Sequence, residues 1–503
     1  MSSTPNLLSL DPVPTLLSRT REELAADFLA TKPLRISRAP GRLDVMGGIA
    51  DYTGSLVCEA TLDRAAAVAL QERDDRNVQV FSFNLLDEHK PFTLRIPLEA
   101  LATGDLATLQ KEFAEPGRGW AGYLVGCLYV LHEAGYIDLS NPNVKGLNLA
   151  LLSTVPLGAG VSSSAAIEVA TMMNLVAHFG VDGTPGVPQK NRLQIANCKT
   201  IDPMKLSALC QRVENVVVGA PCGIMDQVSS CYGQQGALLR MVCQPHEIQP
   251  PLFLPAGIRA IGINSNVKHS VGGGQYGKTR CAAFMGHKII LHQMAKIGKA
   301  AGRTLNGDPM NGYLANLDPE DYKRLFRPHI PENIRGDEFL KQYGPSIDTA
   351  TTVDPDTNYA VQHATDHHVL EARRVQNFTR FLEDAAAIAD ATSPDRKLLL
   401  DKAGHLMYAS HLSYTNDAML GADECDRLVK LVRRNEHAGL YGAKITGGGS
   451  GGTVAVLCDI SEKADAAIGH IMTEYEQQTG KRAEAFLNSS PGAWHAGTAY
   501  FAL

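Results

Sequence analysis

Apolar and polar positions follow two different periods along the chain. Short apolar or alternating runs predict strands, and apolar residues spaced three or four apart predict helices. The predicted strands lie at 34–37, 65–71, 77–83, 92–97, 147–156 and 259–264. The predicted helices lie at 120–135, 276–299, 368–389, 394–412 and 421–436, with further helical patterns between 163 and 214 and at 225–232. A strand, a glycine loop and a second strand are predicted at 440–460.

The polar, Pro- and Asn-rich segment 301–365 interrupts this alternation. Its weak periodicity predicts an insertion with short helices. The 503 residues are enough for two or three domains. We place the boundary near residue 250, at the proline cluster QPPLFLPAG, which gives domains 1–250 and 251–503.

Composition and charge narrow the class of protein. The chain is 44% hydrophobic and 20% charged, which is typical of a soluble globular protein. The net charge of −6 gives no support to nucleic-acid binding. No apolar run reaches membrane-spanning length, and the N-terminus does not resemble a signal peptide. The ten cysteines form no C-x-x-C pair, so we expect reduced thiols and a cytoplasmic location.

The segment PLGAGVSSSAA, 156–166, has the pattern of an anion site. Gly158 and Gly160 allow the backbone to approach a ligand closely, and Ser162, Ser163 and Ser164 open a predicted helix. Unpaired N–H groups at a helix start favour phosphate. The segment is neither a Walker loop nor a dinucleotide turn. The alternative is a serine N-cap on a closely packed helix. We call residues 156–164 the serine loop.

Two further segments carry candidate chemistry. In KITGGGSGG, 444–452, glycines such as Gly447, Gly448 and Gly449 indicate backbone packed against backbone or ligand, or else a flexible hairpin. We call residues 446–452 the third glycine loop. In CGIMDQ, 222–227, Asp226 is a candidate base, although a lone acid is more often a paired or solvated one.

The segment RAPGRLDVMGGIADYTGS, 38–55, here called the signature segment, completes a recognisable set. Together with the serine loop and the third glycine loop, in this order, it resembles the three motifs of the GHMP kinases, and of galactokinases in particular. CGIMDQ and NSNVKHSVGGGQY, 264–276, are also of galactokinase type. The resemblance implies an α+β fold of two domains, one ribosomal-S5-like and one ferredoxin-like, with the active site between them. It also implies ATP and Mg²⁺.

The resemblance implies a role for each matching residue. Asp226 matches the catalytic aspartate that takes or orients the proton of a sugar O1 hydroxyl, and Arg42 matches the arginine beside it. The positions that match contacts to ATP are Gly158, Gly160, Ser162, Ser163 and Ser164. Ser164 and Glu214 match the Mg²⁺ ligands. The positions that match the sugar site are Arg42, Gly48, Ile49, Asp51, Gly223, Asp226 and Tyr276. The residues alone leave other interpretations open: Arg42 could pair Asp44, Glu214 could be solvated and Tyr276 could belong to the core.

The signature segment departs from the galactokinase pattern at two positions. Galactokinases usually read Gly-Glu-His-x-Asp-Tyr, and this chain reads Gly47-Gly48-Ile49-Ala50-Asp51-Tyr52. The Glu and His are expected near the 6-hydroxymethyl group of galactose, which L-arabinopyranose lacks. The segment is also similar to that of plant L-arabinokinases. We therefore expect a sugar 1-kinase that favours L-arabinose, and we expect Gly48→Glu with Ile49→His to shift preference toward galactose.

Two alternatives to that function remain, and the sequence leaves the oligomeric state open. One is a galactokinase that forms D-galactose 1-phosphate. The other is a galactokinase-like sensor of sugar and ATP without catalysis, although the intact serines and Asp226 favour an enzyme.

Three histidines could suggest a metal site. His363, His367 and His368 lack the acid of a H-E-x-x-H motif, so we expect them on a solvated helix.

Overall fold

The computed structural model describes residues 10–181, 201–220, 222–268, 274–304 and 307–503. Part of the helical pattern predicted between 163 and 214, and residues 269–273 of NSNVKHSVGGGQY, lie outside the described residues. No helix among the described residues is long and apolar enough to span a bilayer.

The described strands build two main sheets and one small one. They are β1 Leu34–Met46, β2 Leu56–Glu72, β3 Asn77–Ser82, β4 Thr93–Pro97, β5 Leu147–Ser153, β6 Ala237–Val242, β7 Glu247–Phe253, β8 Ile258–Asn264, β9 Ile334–Arg335, β10 Asn358–Tyr359, β11 Leu440–Ile445, β12 Thr453–Asp459, β13 Glu484–Phe486 and β14 Thr498–Phe501.

The first sheet has eight strands in the order β14-β1-β2-β5-β3-β4, with β6 paired to β2 and β7 paired to β6. All pairs are antiparallel except β3 with β5. The predicted boundary near residue 250 falls in β7, and the last strand, β14, pairs with β1 in this same sheet. The division into domains 1–250 and 251–503 stays a prediction.

The signature segment continues a strand that was predicted to end at residue 37. β1 extends through Met46, and its pairing with β2 is interrupted between Pro40 and Arg42 and again between Asp44 and Met46. Such irregularities bend a strand and change the direction of its side chains. Arg42 and Asp44 therefore lie on a bent part of a sheet strand and not on a free loop.

Helices cover the first sheet and bury its apolar side chains. They are α1 Pro12–Glu23, α2 Phe83–Asp87, α3 Leu98–Thr103, α4 Leu106–Ala114, α5 Gly119–Glu133, α6 Ser163–Phe179, α7 Pro203–Arg212 and α8 Met225–Tyr232. Helices α5 and α6 are apolar on nearly all sides, because they lie inside the largest core cluster of the protein. This packing fixes the start of α6, where the serine loop ends.

The second main sheet has the order β11-β12-β8-β13 and is antiparallel. The remaining helices are α9 Gln275–Ala300, α10 Pro319–Asp321, α11 Gly336–Tyr343, α12 Val361–Ala387, α13 Pro394–Asn416, α14 Asp423–Arg434, α15 Glu462–Thr479 and α16 Ala493–Ala496. The core beside this sheet includes Ile49 of the signature segment and Tyr414 of α13.

The predicted insertion 301–365 folds against α9 and α12. Its short helices and the β9–β10 pair enclose an apolar cluster with residues of those two long helices. Tyr52 of the signature segment packs against this cluster. The insertion therefore contacts the segment in which sugar-binding residues are predicted.

Candidate active site

The serine loop connects β5 to α6 and leaves the buried Ser162 hydroxyl without a partner. Gly158, Gly160 and Ser162 have positive φ angles of 71°, 68° and 58°. The hydroxyl of Ser162 is buried and has no hydrogen-bond partner, and no side chain caps the start of α6. The alternative of a serine N-cap therefore does not describe Ser162. Unpaired N–H groups and a buried hydroxyl at a helix start suit an anionic ligand.

Arg42 and Asp226 form an ion pair beside this loop. Arg42 Nε donates to Asp226 Oδ1 over 2.8 Å, and Arg42 Nη1 donates to the carbonyl of Gly160 over 2.7 Å. Glu59 approaches the same guanidinium at 3.4 Å. Burial alone would lower the pKa of Arg42, but Asp226 and Glu59 raise it above its ordinary value, so the group stays charged. Arg42 does not pair Asp44, which was the alternative from sequence.

Glu214 lies on a π-helical turn, Val213–Val218, and faces the same pocket. Its Oε2 accepts from Gln227 Nε2 over 2.9 Å and from the Cys222 thiol over 3.6 Å. Burial, and then the charge of Asp226, raise the pKa of Glu214 to about 7. The carboxylate is buried, so the alternative of a solvated helix acid does not hold.

Glu168 is an acid that sequence reasoning missed. It lies on α6, is fully buried and accepts from the same Gln227 amide over 3.2 Å, while its Oε1 has no partner. Burial and the charge of Glu214 raise its pKa well above the ordinary value. Its position four residues after Ser164, on the same face of α6, was the signal that could have identified it.

The sugar-side residues of the signature segment lie on a 3-10 helix, Gly48–Thr53. Ile49 and Asp51 are buried, with 2% and 7% of their surface exposed, yet both face the pocket. Burial raises the pKa of Asp51 to about 7, although the Tyr52 N–H donates to its Oδ1 over 2.6 Å. Gly223 lies directly against Asp51, and a Cβ at that glycine would overlap the carboxylate.

The third glycine loop packs against the serine loop and the signature segment. A Cβ at Gly447 would lie 2.9 Å from the Gly160 carbonyl and 3.1 Å from Arg42 Nη2. Asp44 pairs Lys444 over 2.6 Å, both side chains are fully buried, and Asp44 Oδ2 also accepts from the Gly447 N–H over 3.2 Å. The loop is therefore packed backbone on backbone and is not a free hairpin.

Nearly all of the predicted site residues line one pocket. Its lining comprises Arg42, Gly48, Ile49, Asp51, Gly158, Gly160, Val161, Ser162, Ser163, Ser164, Glu214, Cys222, Gly223, Met225, Asp226, Tyr276, Gly447 and Gly448. Of the predicted site residues, Gly449 alone is not in this lining; it packs against Leu420 of the α13–α14 connection. Tyr276 lines the pocket, and it is also partly buried and packs against Tyr52 and the neighbouring core cluster. The prediction of a site residue and the alternative of a core residue therefore each describe part of its surroundings.

The groups present fit a nucleotide phosphate chain and Mg²⁺. The unpartnered Ser162 hydroxyl and the start of α6 offer donors to phosphate. Glu214 is a buried carboxylate that faces the same pocket as Ser164. No group of three or more His, Cys, Asp or Glu in the described part of the chain could hold a metal ion by itself. Mg²⁺ commonly binds through one or two protein ligands together with substrate phosphates, which this arrangement permits.

Comparisons with known proteins agree with this geometry. The model of the GHMP kinases N terminal domain matches residues 122–234, and that of the GHMP kinases C terminal matches residues 396–476. An L-arabinokinase of Arabidopsis thaliana is 34% identical over 94% of this chain, which spans 47% of that protein. A galactokinase of Chloroflexus aggregans is 28% identical, over 90% of this chain and 91% of that protein.

A solved structure shares the fold. The Lactococcus lactis galactokinase complexed with galactose superposes with a TM-score of 0.68 at 21% identity, covering 97% of this chain and 100% of the other. The predicted α+β GHMP kinase fold is confirmed. The two domain models lie in the order that the motifs predict, one over the serine loop and CGIMDQ and the other over α13 to α15. The chain therefore contains the N-terminal and C-terminal domains of the GHMP kinases.

Proposed function

We propose that this protein is an ATP-dependent sugar 1-kinase that acts on a galactose-configured monosaccharide and favours L-arabinose. The observation that carries the proposal is the pocket itself. It joins an anion site at the start of α6, the Arg42–Asp226 pair and an apolar sugar-side corner at Ile49. The similarity to an L-arabinokinase over 94% of the chain supports the choice of sugar.

Asp226 and Arg42 account for the transfer step. Asp226 takes or orients the proton of the O1 hydroxyl, so that O1 attacks the γ-phosphorus of ATP. The bond from that phosphorus to the bridging oxygen breaks, the new O1–phosphorus bond forms and ADP leaves. Arg42 keeps Asp226 ionised and stabilises charge on the transferring group.

Ser164 and Glu214 are the residues that would hold Mg²⁺. The ion supplies positive charge that neutralises the phosphate oxygens. The Gly158–Ser163 stretch binds the phosphate chain through its N–H groups and hydroxyls. Glu168 lies behind Glu214 and shares the Gln227 amide, so it helps to orient that ligand.

Asp51 and Ile49 account for the sugar. Asp51 accepts hydrogen bonds from ring hydroxyls, and Gly223 leaves the space for its carboxylate. The apolar Ile49 offers no partner to the O6 hydroxyl of galactose, which therefore loses its hydration without compensation. A pentose with the same ring configuration has no such group to bury.

Galactokinase activity is the second candidate. It is favoured by the galactokinase relative that matches over nearly its whole length, and by Asp51, which this chain shares with the galactokinase pattern. Both candidates place the same residues in the transfer step. They differ only in which sugar fits into the pocket beside Ile49.

Phosphorylation assays with purified protein test the proposal. ATP, Mg²⁺ and either L-arabinose or D-galactose are supplied, and phosphorus NMR identifies the position of the new ester. We expect an L-arabinose 1-phosphate product with the higher kcat/KM. A higher kcat/KM for galactose would favour the second candidate. ATP consumption at background with both sugars would contradict the kinase proposal.

A further inference from the structure

Tyr414 of α13 joins two parts of the pocket although it does not line it. The side chain is fully buried. Its hydroxyl accepts from the Ile49 N–H over 3.0 Å and donates to the Gly447 carbonyl over 2.9 Å. One hydroxyl thus ties the sugar-side segment to the third glycine loop, with both its donor and an acceptor position in use.

The same hydroxyl occupies the space beside Gly48. A Cβ at Gly48 would overlap the Tyr414 oxygen and would lie 2.9 Å from Tyr414 Cζ and 2.8 Å from Asp44 Oδ2. Gly48 also has a φ of +41°, a conformation that favours glycine. The position where galactokinases usually carry Glu is therefore filled here by a side chain from a distant helix.

The surroundings hold the Tyr414 ring in one position. The His367 ring packs edge-on at 5.0 Å, and Lys444 Nζ lies 5.0 Å from the ring centroid while paired with Asp44. All of these groups are buried. A ring enclosed in this way cannot move aside for a larger residue at position 48 without disturbing a buried ion pair.

We propose that Tyr414 is a positioning residue for sugar specificity, and that Tyr414 and Gly48 act as a pair. Tyr414 fixes the Ile49 backbone and so holds the apolar corner against the position of a sixth carbon, while Gly48 leaves the room that its hydroxyl needs. This inference rests on the proposed sugar kinase function. It also changes the expectation from sequence: Gly48→Glu with Ile49→His cannot restore a galactokinase-like corner while the Tyr414 hydroxyl stays in place.

The first test is the sugar preference of Tyr414→Phe. The ratio of kcat/KM for L-arabinose to that for D-galactose should fall about fivefold, the size expected for one neutral hydrogen bond. The change should appear in KM for L-arabinose, with kcat nearly constant. An unchanged ratio would overturn the positioning role.

Tyr475→Phe is the matched control. Tyr475 of α15 is also fully buried in the same core cluster, and its hydroxyl donates to the Ser265 carbonyl over 2.8 Å. It should lose a similar amount of thermal stability and keep the wild-type sugar ratio. If both variants change the ratio equally, the effect is general and the inference fails.

The second test needs no sugar and examines the pair by thermal unfolding. Gly48→Ala should lower Tm by clearly more in the wild-type background than in the Tyr414→Phe background, because the oxygen that it overlaps is then gone. Solubility of the double variant when Gly48→Ala alone is insoluble supports the same conclusion. Additive shifts in Tm would overturn the pairing.

The two tests separate this inference from the proposed function. If wild-type protein phosphorylates neither sugar, the proposed function is wrong. The Tm values of wild type, the two single variants and the double variant still show whether Tyr414 and Gly48 are coupled. If wild-type protein is active and Tyr414→Phe keeps its sugar ratio, the function stands and the positioning role is wrong.

Discussion

The two sides of the pocket are built in different ways. The phosphate side comprises the serine loop, Arg42, Asp226 and Glu214. It consists of an ion pair, a buried carboxylate and the Ser162 hydroxyl, which has no hydrogen-bond partner. The sugar side, comprising Gly48, Ile49, Asp51, Gly223 and Tyr276, consists of closely packed residues whose space is defined by distant segments.

In the proposed function, the phosphate side carries out phosphoryl transfer and the sugar side determines which sugar is accepted. Groups that stabilise a transferring phosphoryl group need only be placed at a helix start and a bent strand, and short motifs encode both. In the proposed function, selection of the sugar depends on the shape of the pocket around Ile49, which packs against Tyr414 of α13 and the core beside the second sheet. Variants on the phosphate side should therefore change rate, and variants on the sugar side should change preference.

The largest expected effect is that of Asp226→Asn. It should lower kcat by about 10²–10⁴, the usual contribution of a positioned acid or base, and leave the ratio between the two sugars unchanged. The matched control is Glu59→Gln, since Glu59 also approaches Arg42 but does not line the pocket. Equal losses of kcat in both variants would contradict the assigned role of Asp226.

Ile49→Ala should have the next largest effect, and it should change the preference between the two sugars. Opening the apolar corner should lower the kcat/KM ratio of L-arabinose to D-galactose by about tenfold or more, because a few methyl groups in a pocket discriminate by that much. Ile471→Ala is the control, since Ile471 is buried in the same core cluster on α15. A ratio that moves equally in both variants would show that the corner does not select the sugar.

The smallest expected effect is on the free energy of unfolding. It comes from Asp51 and depends on pH. Burial raises its folded-state pKa to about 7, above the unfolded value near 3.8. The folded protein therefore binds more protons than the unfolded chain between these values, so the stabilising contribution is present at low pH and is lost as pH rises through about 7.

Asp51→Asn removes this dependence. Between about pH 6 and about pH 8 the free energy of unfolding of wild-type protein should fall by about 1 kcal/mol relative to that of the variant. Urea denaturation at the two pH values measures the difference. A constant difference would show that Asp51 is not buried in its neutral form, and the sugar side would then resemble the phosphate side.

The phosphate side could be predicted from sequence because each part of it is local. A strand, two glycines, three serines and an apolar helix are consecutive, and the structure has β5, the loop and α6 in that order. The pairing of Arg42 with Asp226 followed from the family pattern, since the residues alone allowed Asp44 as a partner. The roles of these residues in catalysis stay predictions.

The sugar side could be predicted only in part. The departure at Gly48 and Ile49 was visible, but its cause was not, because Tyr414 lies 366 positions after Gly48 in the chain and reaches it through tertiary packing.

The histidines of α12 were also predicted incorrectly. His363, His367 and His368 were expected on a solvated helix, and this was wrong for His367 and His368. Both are fully buried on α12, where burial lowers their pKa well below the usual range and keeps them neutral. His368 contacts Tyr52, next to Asp51.

The central claim is that this pocket phosphorylates O1 of a galactose-configured sugar without a sixth carbon. The most direct test is the specificity constant of wild-type protein for L-arabinose and for D-galactose, measured with saturating ATP and Mg²⁺. The account predicts a higher kcat/KM for L-arabinose and a product phosphorylated at O1. A higher kcat/KM for D-galactose, or phosphate at any other hydroxyl, would contradict it.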